Sequence, residues 1–369
     1  MMVTREALVV GGGPAGAAAA ILLARRGREV TLAEKTAQMH DKVCGEFLSG
    51  EAVQYLARLG LDLRGLGAIP IYGVSLARQK RLADCELPFR AMAVTRGVLD
   101  EALLALAERE GVELRRGARI AVLQRDQTGW RAQVTDSDVL HARSVFLATG
   151  KHDLGGWRRP KGKQDDLIAF KMYFALSVSQ QHALRGWIEL YLFPGGYAGL
   201  QLTEGGKANL CLLVNRTTLR SCGNEWQTLL AQILRFCENL AERLEGAQPL
   251  QEKPLALSSI PYGMLLRNSE PGLWRLGDQA AVTPSFSGDG MSIALHSAVV
   301  ASQMYLKGGT SSELAARLQK ELRSPIALAT TISHLMIATP ALAHLLRAWP
   351  SLLSEFAGRT RVPRAALMD

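Results

Sequence analysis

Residues Leu8-Val9-Val10-Gly11-Gly12-Gly13-Pro14-Ala15-Gly16, read together with Val30-Thr31-Leu32-Ala33-Glu34, leave this chain few folds to choose from. They spell a buried strand, a glycine turn, a helix, a second strand and a terminal acid. Gly11 allows the tight turn after the first strand. Gly13 lets the backbone approach a pyrophosphate, and Gly16 lets the helix lie close on the sheet. Pro14 and Ala15 open that helix, whose free N–H groups and positive dipole end receive a diphosphate. Glu34 ends the second strand, where a carboxylate accepts from ribose hydroxyls, and Lys35 beside it joins the same binding set. The chain is expected to bind a dinucleotide.

Length and charge narrow the class. The 369 residues exceed what one core usually serves, so two intimately joined domains are expected. The formal charge of +9 comes mostly from dispersed arginines, and no basic tract interleaved with aromatics accompanies it. A solvated basic surface is the reading, and nucleic acid is ranked last among partners. Cys44, Cys85, Cys211, Cys222 and Cys237 follow no zinc or CxxC spacing. Free thiols in a reducing cytoplasm, and no metal, are therefore expected. The first strand starts almost at the N-terminus, which argues against a signal peptide and again for the cytoplasm.

Further along, apolar spacing predicts helices over 51–59 and from Thr95 to Gly111, with strands within 71–91, near 112–115, 118–124 and 130–135, and at 144–148. From about residue 165 strands dominate: Ile168–Ser177, Ile188–Phe193, Leu200–Leu202 and Ala208–Val214. An amphipathic helix over Glu225–Leu244 follows. Leu273–Asp278 returns to a strand with a glycine turn and leads into a helix from Ser292 to Leu306. Ser324 to Leu346 carries no Asp, Glu, Lys or Arg. Its prolines, histidines and hydroxyls speak against a membrane span, and two buried helices broken at Pro340 are expected. A greasy lid over a substrate tunnel and a peripheral membrane contact are the alternatives.

Two downstream segments turn the dinucleotide into FAD. In Gly277-Asp278-Gln279-Ala280-Ala281 a strand-ending carboxylate can meet the ribityl hydroxyls. Gly288-Asp289-Gly290-Met291 then presents backbone N–H groups, ahead of a helix, to the flavin pyrimidine or the diphosphate. Val94-Thr95-Arg96 heads another helix, from which Arg96 can approach the phosphates or the isoalloxazine edge.

With these motifs the chain resembles the FAD superfamily of the p-hydroxybenzoate-hydroxylase-type monooxygenases, geranylgeranyl reductases and flavin-dependent halogenases. The resemblance spans roughly the first 310 residues and implies an α/β fold. That fold has a Rossmann-like FAD-binding domain with a β-meander crossover, a mixed-sheet substrate domain of α+β type, and here a helical C-terminal segment. The expected division is 1–70, 92–164 and 262–310 for FAD, 71–91 and 165–261 for substrate, and 311–369 for the C-terminal helices. Gly11, Gly13, Gly16 and Glu34 match the adenosine fingerprint. Arg96 matches the helix-heading arginine, and Asp278, Gly288 and Gly290 match the Gly-Asp … Gly-x-Gly motif. Val122, on a meander strand, is included in the FAD set.

Departures from the family patterns bear on the reaction. Ala281 and Ser292 stand where hydroxylases usually carry His and Asn, and Ala148-Thr149-Gly150 lacks their middle acid. No tryptophan lies in the halogenase Trp-x-Trp-x-Ile-Pro pattern. Val43-Cys44-Gly45-Glu46 is similar to the Cys-Gly loop of geranylgeranyl reductases. Glu189-Leu190-Tyr191-Leu192-Phe193-Pro194 keeps only part of their Tyr-x-Trp-x-Phe-Pro segment.

The principal expectation is an FAD-dependent oxidoreductase that transfers hydride from flavin N5 to a bulky, largely apolar molecule: a polyketide, a quinone-like compound or an isoprenoid. Cys44 and Glu46 are the candidate proton donors, and Phe170, Tyr173, Tyr191, Phe193 and Tyr197 the candidate pocket walls. No second GxGxxG is present in strand–helix context, so NAD(P)H bound transiently or a separate electron donor is expected as reductant. The alternatives are a monooxygenase working through a flavin C4a-hydroperoxide, and a flavin-binding redox-responsive interaction module using Ser324–Leu346 as its contact.

Overall fold

The computed structural model of the chain describes residues 4–127, 129–135, 138–338 and 351–363, apart from the side chains of residues 81, 82 and 353. Leu8, Val9 and Val10 are all buried, because the strand Thr4–Val10 lies inside a sheet covered on both faces. That sheet runs Glu113–Arg116, Val30–Glu34, Thr4–Val10, Val139–Leu147, Trp130–Val134, Ile120–Arg125. The first four strands are mutually parallel and the last two form the antiparallel meander. Val139–Leu147 pairs with the meander through its first half. Its last three residues, Val145–Leu147, instead pair in parallel with Leu273–Arg275. The helix Pro14–Ala24 is apolar on every side, as a helix must be when it lies between a sheet and another helix. Its neighbours include the helices Gly290–Leu306 and Arg96–Arg109.

The second sheet runs Gln248–Pro249, Leu167–Ala175, Lys207–Asn215, Gly196–Leu202, Trp187–Phe193, Ile69–Ala77, Arg81–Ala93, Phe47–Leu48, with Leu255–Ser258 also on Leu167–Ala175. It is antiparallel except where Trp187–Phe193 joins Ile69–Ala77. One face packs on the helices Arg216–Ser221, Trp226–Phe236 and Glu238–Arg243 through Leu229, Ile233 and Leu240. The other packs on the C-terminal helices Ser311–Ala338 and Ser351–Arg359 through Ile332, Met336 and Phe356.

One expectation about helices changes. The helix expected over Glu225–Leu244 is two helices that meet at Cys237, which leaves helical geometry (φ −104°, ψ 86°). The uncharged stretch begins inside one continuous helix, Ser311–Ala338, that carries Pro325 within it. Leu318, Leu322, Ile326, Ala329, Ile332 and Met336 form a continuous buried stripe there, and its packing outweighs the hydrogen bond lost at Pro325. Pro340 and the break expected at it lie outside the described residues. Among the described residues no helix is long and apolar enough to cross a membrane.

Candidate active site

The glycine turn is closed by contacts that a side chain would destroy. Gly11 sits at φ +107°, and a Cβ on it would overlap the Ala148 carbonyl oxygen. The turn leaves the start of helix Pro14–Ala24 uncapped by any side chain, so its first N–H groups are available to an anion. A Cβ on Gly13 would lie 3.2 Å from Arg96 Nη2, so the guanidinium stands directly beside the turn. Thr95 caps Arg96–Arg109 by accepting from Val98 N, which fixes Arg96 at the helix start. Asp100 holds the guanidinium with two bonds of 2.9 Å and also accepts from Lys42 Nζ at 2.8 Å. Glu34 is buried, and its Oε2 accepts from Gly12 N at 2.7 Å while Oε1 accepts from Thr36 N and Oγ1. Burial pushes Glu34 up, but Lys42 and these donors outweigh it and keep the carboxylate below its ordinary range. Lys35 is exposed next to it, and Val122 is exposed on the edge strand Ile120–Arg125, at a register shift.

Distant segments of sequence meet the same turn. A Cβ on Gly277 would lie 3.2 Å from Ala15 Cβ and 3.4 Å from Ala294 Cβ, so the Gly-Asp segment is wedged between helices Pro14–Ala24 and Gly290–Leu306. Gly277 N donates to Ser297 Oγ at 2.8 Å. The half-buried Asp278 carboxylate makes no hydrogen bond or ion pair with the described residues, and its carbonyl accepts from Arg159. Gly288 takes φ +67°, and a Cβ there would run into the Phe47 ring. Met291 is buried in the first turn of the following helix, whose start has no side-chain cap, and a Cβ at Gly290 would meet nothing within 4 Å.

The loop carrying Cys44, Gly45 and Glu46 is pinned to the second sheet. Asn209 Nδ2 donates to Cys44 O at 3.1 Å, and Gln201 Nε2 donates to Gly45 O at 2.9 Å. Glu46 has φ +62° and no exposed surface. Its carboxylate accepts from Lys171 Nζ at 2.6 Å, Tyr173 OH at 2.7 Å, Arg96 N at 2.8 Å and Asn209 Nδ2 at 3.0 Å. Burial pushes Glu46 above the ordinary carboxylate range against the pull of Lys171. Every lone-pair direction of this carboxylate is committed, and Glu46 is not at the cavity wall described below. In this arrangement Glu46, expected as a proton donor to substrate, fastens the loop. Cys44 also stays off the wall, its sulfur accepting from Glu46 N at 3.3 Å and packing against the core of the dinucleotide-binding half.

A cavity of about 140 Å³ lies between the second sheet and the C-terminal helices. Leu76, Leu190, Leu192, Leu213, Ile332, Met336 and Phe356 make its walls apolar. Gly45 from the pinned loop and Ser287-Gly288 from the second glycine segment also line it. Of the five aromatics expected as pocket walls, Tyr197 lines this cavity. Tyr191 and Phe193 point to the opposite face, into the core with Leu229 and Ile233, because Leu190 and Leu192 take the cavity side of their strand. Phe170 packs in that same core, and Tyr173 is committed to Glu46. Sequence reasoning passed over Lys171, Asn209, Gln201 and Arg361. A lone lysine inside the apolar run Ile168–Ala175 was the visible sign for the first of these.

Comparison with known proteins agrees with this geometry. Residues 4–146 match the FAD binding domain family model. The menaquinone reductase of Mycolicibacterium smegmatis is 25% identical over 83% of this chain and 77% of its own. Among solved structures, a geranylgeranyl bacteriochlorophyll reductase-like protein of Thermoplasma acidophilum superposes with a TM-score of 0.77 at 20% identity, covering 100% of this chain and 96% of that one. The flavin-dependent brominase Bmp2 gives 0.78 at 16% identity, over 97% and 93%. These matches mark the chain as an FAD-dependent oxidoreductase.

The residues of this FAD-dependent oxidoreductase fit the cofactor. The open helix start beside Gly13 and Arg96 suits the diphosphate, and the unpaired Asp278 suits hydroxyls of the ribityl chain. The uncapped start of Gly290–Leu306 suits the electron-rich edge of a flavin, and Glu34 stands ready as an acceptor for ribose. FAD is therefore the cofactor that these residues are built to hold.

Proposed function

We propose that this enzyme is a flavin-dependent reductase that acts on a quinone-like or isoprenoid molecule seated in the cavity beneath the C-terminal helices. The observation that carries the reading is the cavity itself: its walls are apolar, while Gly45 and Gly288 at its edge belong to the two segments assigned to the flavin. FAD when bound supplies a hydride at N5, and the chain supplies a dry, shaped place for the acceptor. The menaquinone reductase of Mycolicibacterium smegmatis and the digeranylgeranylglycerophospholipid reductase of Thermoplasma acidophilum, related along most of this chain, support that substrate class.

Tyr197 is the group best suited to orient a carbonyl in the cavity. Its oxygen accepts from Phe286 N at 3.1 Å, with the Ser285 hydroxyl also beside it, and burial pushes its pKa up so that it stays protonated. The electrons reach the flavin from NAD(P)H bound transiently or from a separate donor.

The test is anaerobic stopped-flow mixing of the reduced, FAD-loaded enzyme with menadione, with a prenylated naphthoquinone, or with a polyunsaturated isoprenoid lipid. Rapid, saturable flavin reoxidation by one of these, faster than by oxygen, supports the reading. Reoxidation by oxygen alone, with hydroxylation of an added phenol, overturns it in favour of a monooxygenase. Repeating the reduction with NADH and NADPH identifies the donor.

A further inference from the structure

The segment after helix Ser351–Arg359 walls the cavity and also reaches past it. Arg361 is buried, and its Nη2 donates to the Ser287 carbonyl at 2.6 Å. Its Nη1 lies 3.4 Å from Asp289 Oδ1, and its Nε donates to the Ala357 carbonyl at 2.7 Å. The guanidinium rests over the Phe89 ring at 4.6 Å, and the next residue donates Val362 N to Asp289 Oδ2 at 3.0 Å. Asp289 occupies the capping position of helix Gly290–Leu306, where an aspartate ordinarily accepts from a first-turn N–H. Here it caps no backbone N–H of its own helix; its oxygens meet the C-terminal segment, with the Ser292 side chain as a further partner. The first-turn N–H groups are thereby left for a ligand, and the loop that presents them is held from outside.

We propose that Arg361 is a positioning residue: it ties the C-terminal segment to the Ser287–Asp289 loop, so that the cavity wall and the flavin-facing helix start form one mechanical unit. The inference rests on the reading that FAD lies against that helix start. Three features favour it over a merely local ion pair. The guanidinium is nearly fully buried, so its bonds are unscreened by solvent. Arg361, Ser287 and Gly288 all line the same cavity. Gly288, at φ +67° against Phe47, leaves the loop little freedom to shift without the arginine moving too. Burial pushes Asp289 up to about 7 against the pull of Arg361, so directional bonds to backbone hold this contact as much as charge does.

The experiment uses the full chain, with FAD removed and then titrated back, comparing wild type, Arg361→Met and Arg361→Lys. FAD affinity is followed by flavin fluorescence, and the visible flavin band is recorded with and without menadione on the oxidised protein. Loss of the charge-assisted bonds is expected to weaken FAD by about tenfold or more in Arg361→Met. The band shift that menadione causes in wild type is also expected to vanish. Arg361→Lys keeps the charge without the fork and is expected to fall between the two, and it carries the test alone if Arg361→Met does not fold. Wild-type FAD affinity together with an intact band shift in the variants would overturn the proposal. Failure of the wild-type protein to bind FAD would instead overturn the cofactor site. A wild type that binds FAD but shows no shift with menadione would overturn the coupling of cavity and helix start.

Discussion

Replacing Lys171 by Met isolates the buried pair that fastens the Cys44–Glu46 loop. Lys171 and Glu46 have no exposed surface, and the ammonium also donates to Tyr173 OH at 2.7 Å and to the Lys42 carbonyl at 3.1 Å. Removing one partner of a buried ion pair costs about 3–5 kcal/mol. Glu46 retains Tyr173, Asn209 and the Arg96 N–H as donors, which puts the expected loss near the low end, about 3 kcal/mol. At about 2 °C per kcal/mol for a chain of this size, the melting temperature should fall by about 6 °C at neutral pH. The pH dependence follows from the sign of the Glu46 shift. Its folded pKa lies above the unfolded one, so its contribution is full below the unfolded value and is lost as pH rises through the folded value. Without Lys171 the folded value climbs further, and the gap between variant and wild type should widen from pH 5 to pH 8. Thermal unfolding followed by circular dichroism at both pH values measures it. Lys171→Met/Glu46→Gln should recover most of the loss at pH 8, because the uncompensated charge is gone. A gap independent of pH, or a double variant whose losses simply add, would refute this account.

Three shorter predictions concern the rest of the molecule. Gly13→Val puts branches beside the Arg96 guanidinium and into the diphosphate cradle; a colourless protein with unchanged far-ultraviolet dichroism is expected, and retained FAD would count against that turn. Gly199 lines the cavity, and a Cβ there meets Leu190 Cδ2 at an ordinary 3.5 Å. Gly199→Leu should therefore raise KM for bulky apolar acceptors several-fold while FAD stays bound, as steady-state kinetics would reveal. His296, fully buried, joins Tyr55 OH at 2.8 Å to Glu321 at 2.7 Å across three helices. His296→Ala should cost about 2–3 kcal/mol and lower the melting temperature by about 5 °C; a fall under 1 °C would show that the bridge contributes nothing.

The dinucleotide-binding half was legible because its demands are local. Gly11 must turn with positive φ, Gly16 must let the helix touch the strand, and both requirements fall within one short stretch of chain. The cavity was not legible for the opposite reason. Trp187–Phe193 carries bulky apolar side chains on both faces, with Glu189 on the side of Tyr191, so its alternation does not say which face meets the substrate, and Leu190 and Leu192 took the side expected of Tyr191 and Phe193. Glu46 looked like an acid beside a flavin, and only the fold brings Lys171 and Asn209 to it from strands far along the chain. Arg361 meets Asp289 across an interval of 72 residues, and no motif marks Arg361 itself.

The shared strand Val139–Leu147 bears on how the protein is made. Its final residues find their parallel neighbour only when Leu273–Arg275 has left the ribosome, after the whole second sheet has been synthesised. The nascent FAD-binding half must therefore wait with an open edge while a large insertion folds beside it. A fragment cut at residue 146, although it contains the recognisable fingerprint, would keep that edge bare and lack the helix Gly290–Leu306 that covers Pro14–Ala24. The part most easily recognised is thus one that cannot be expected to stand alone.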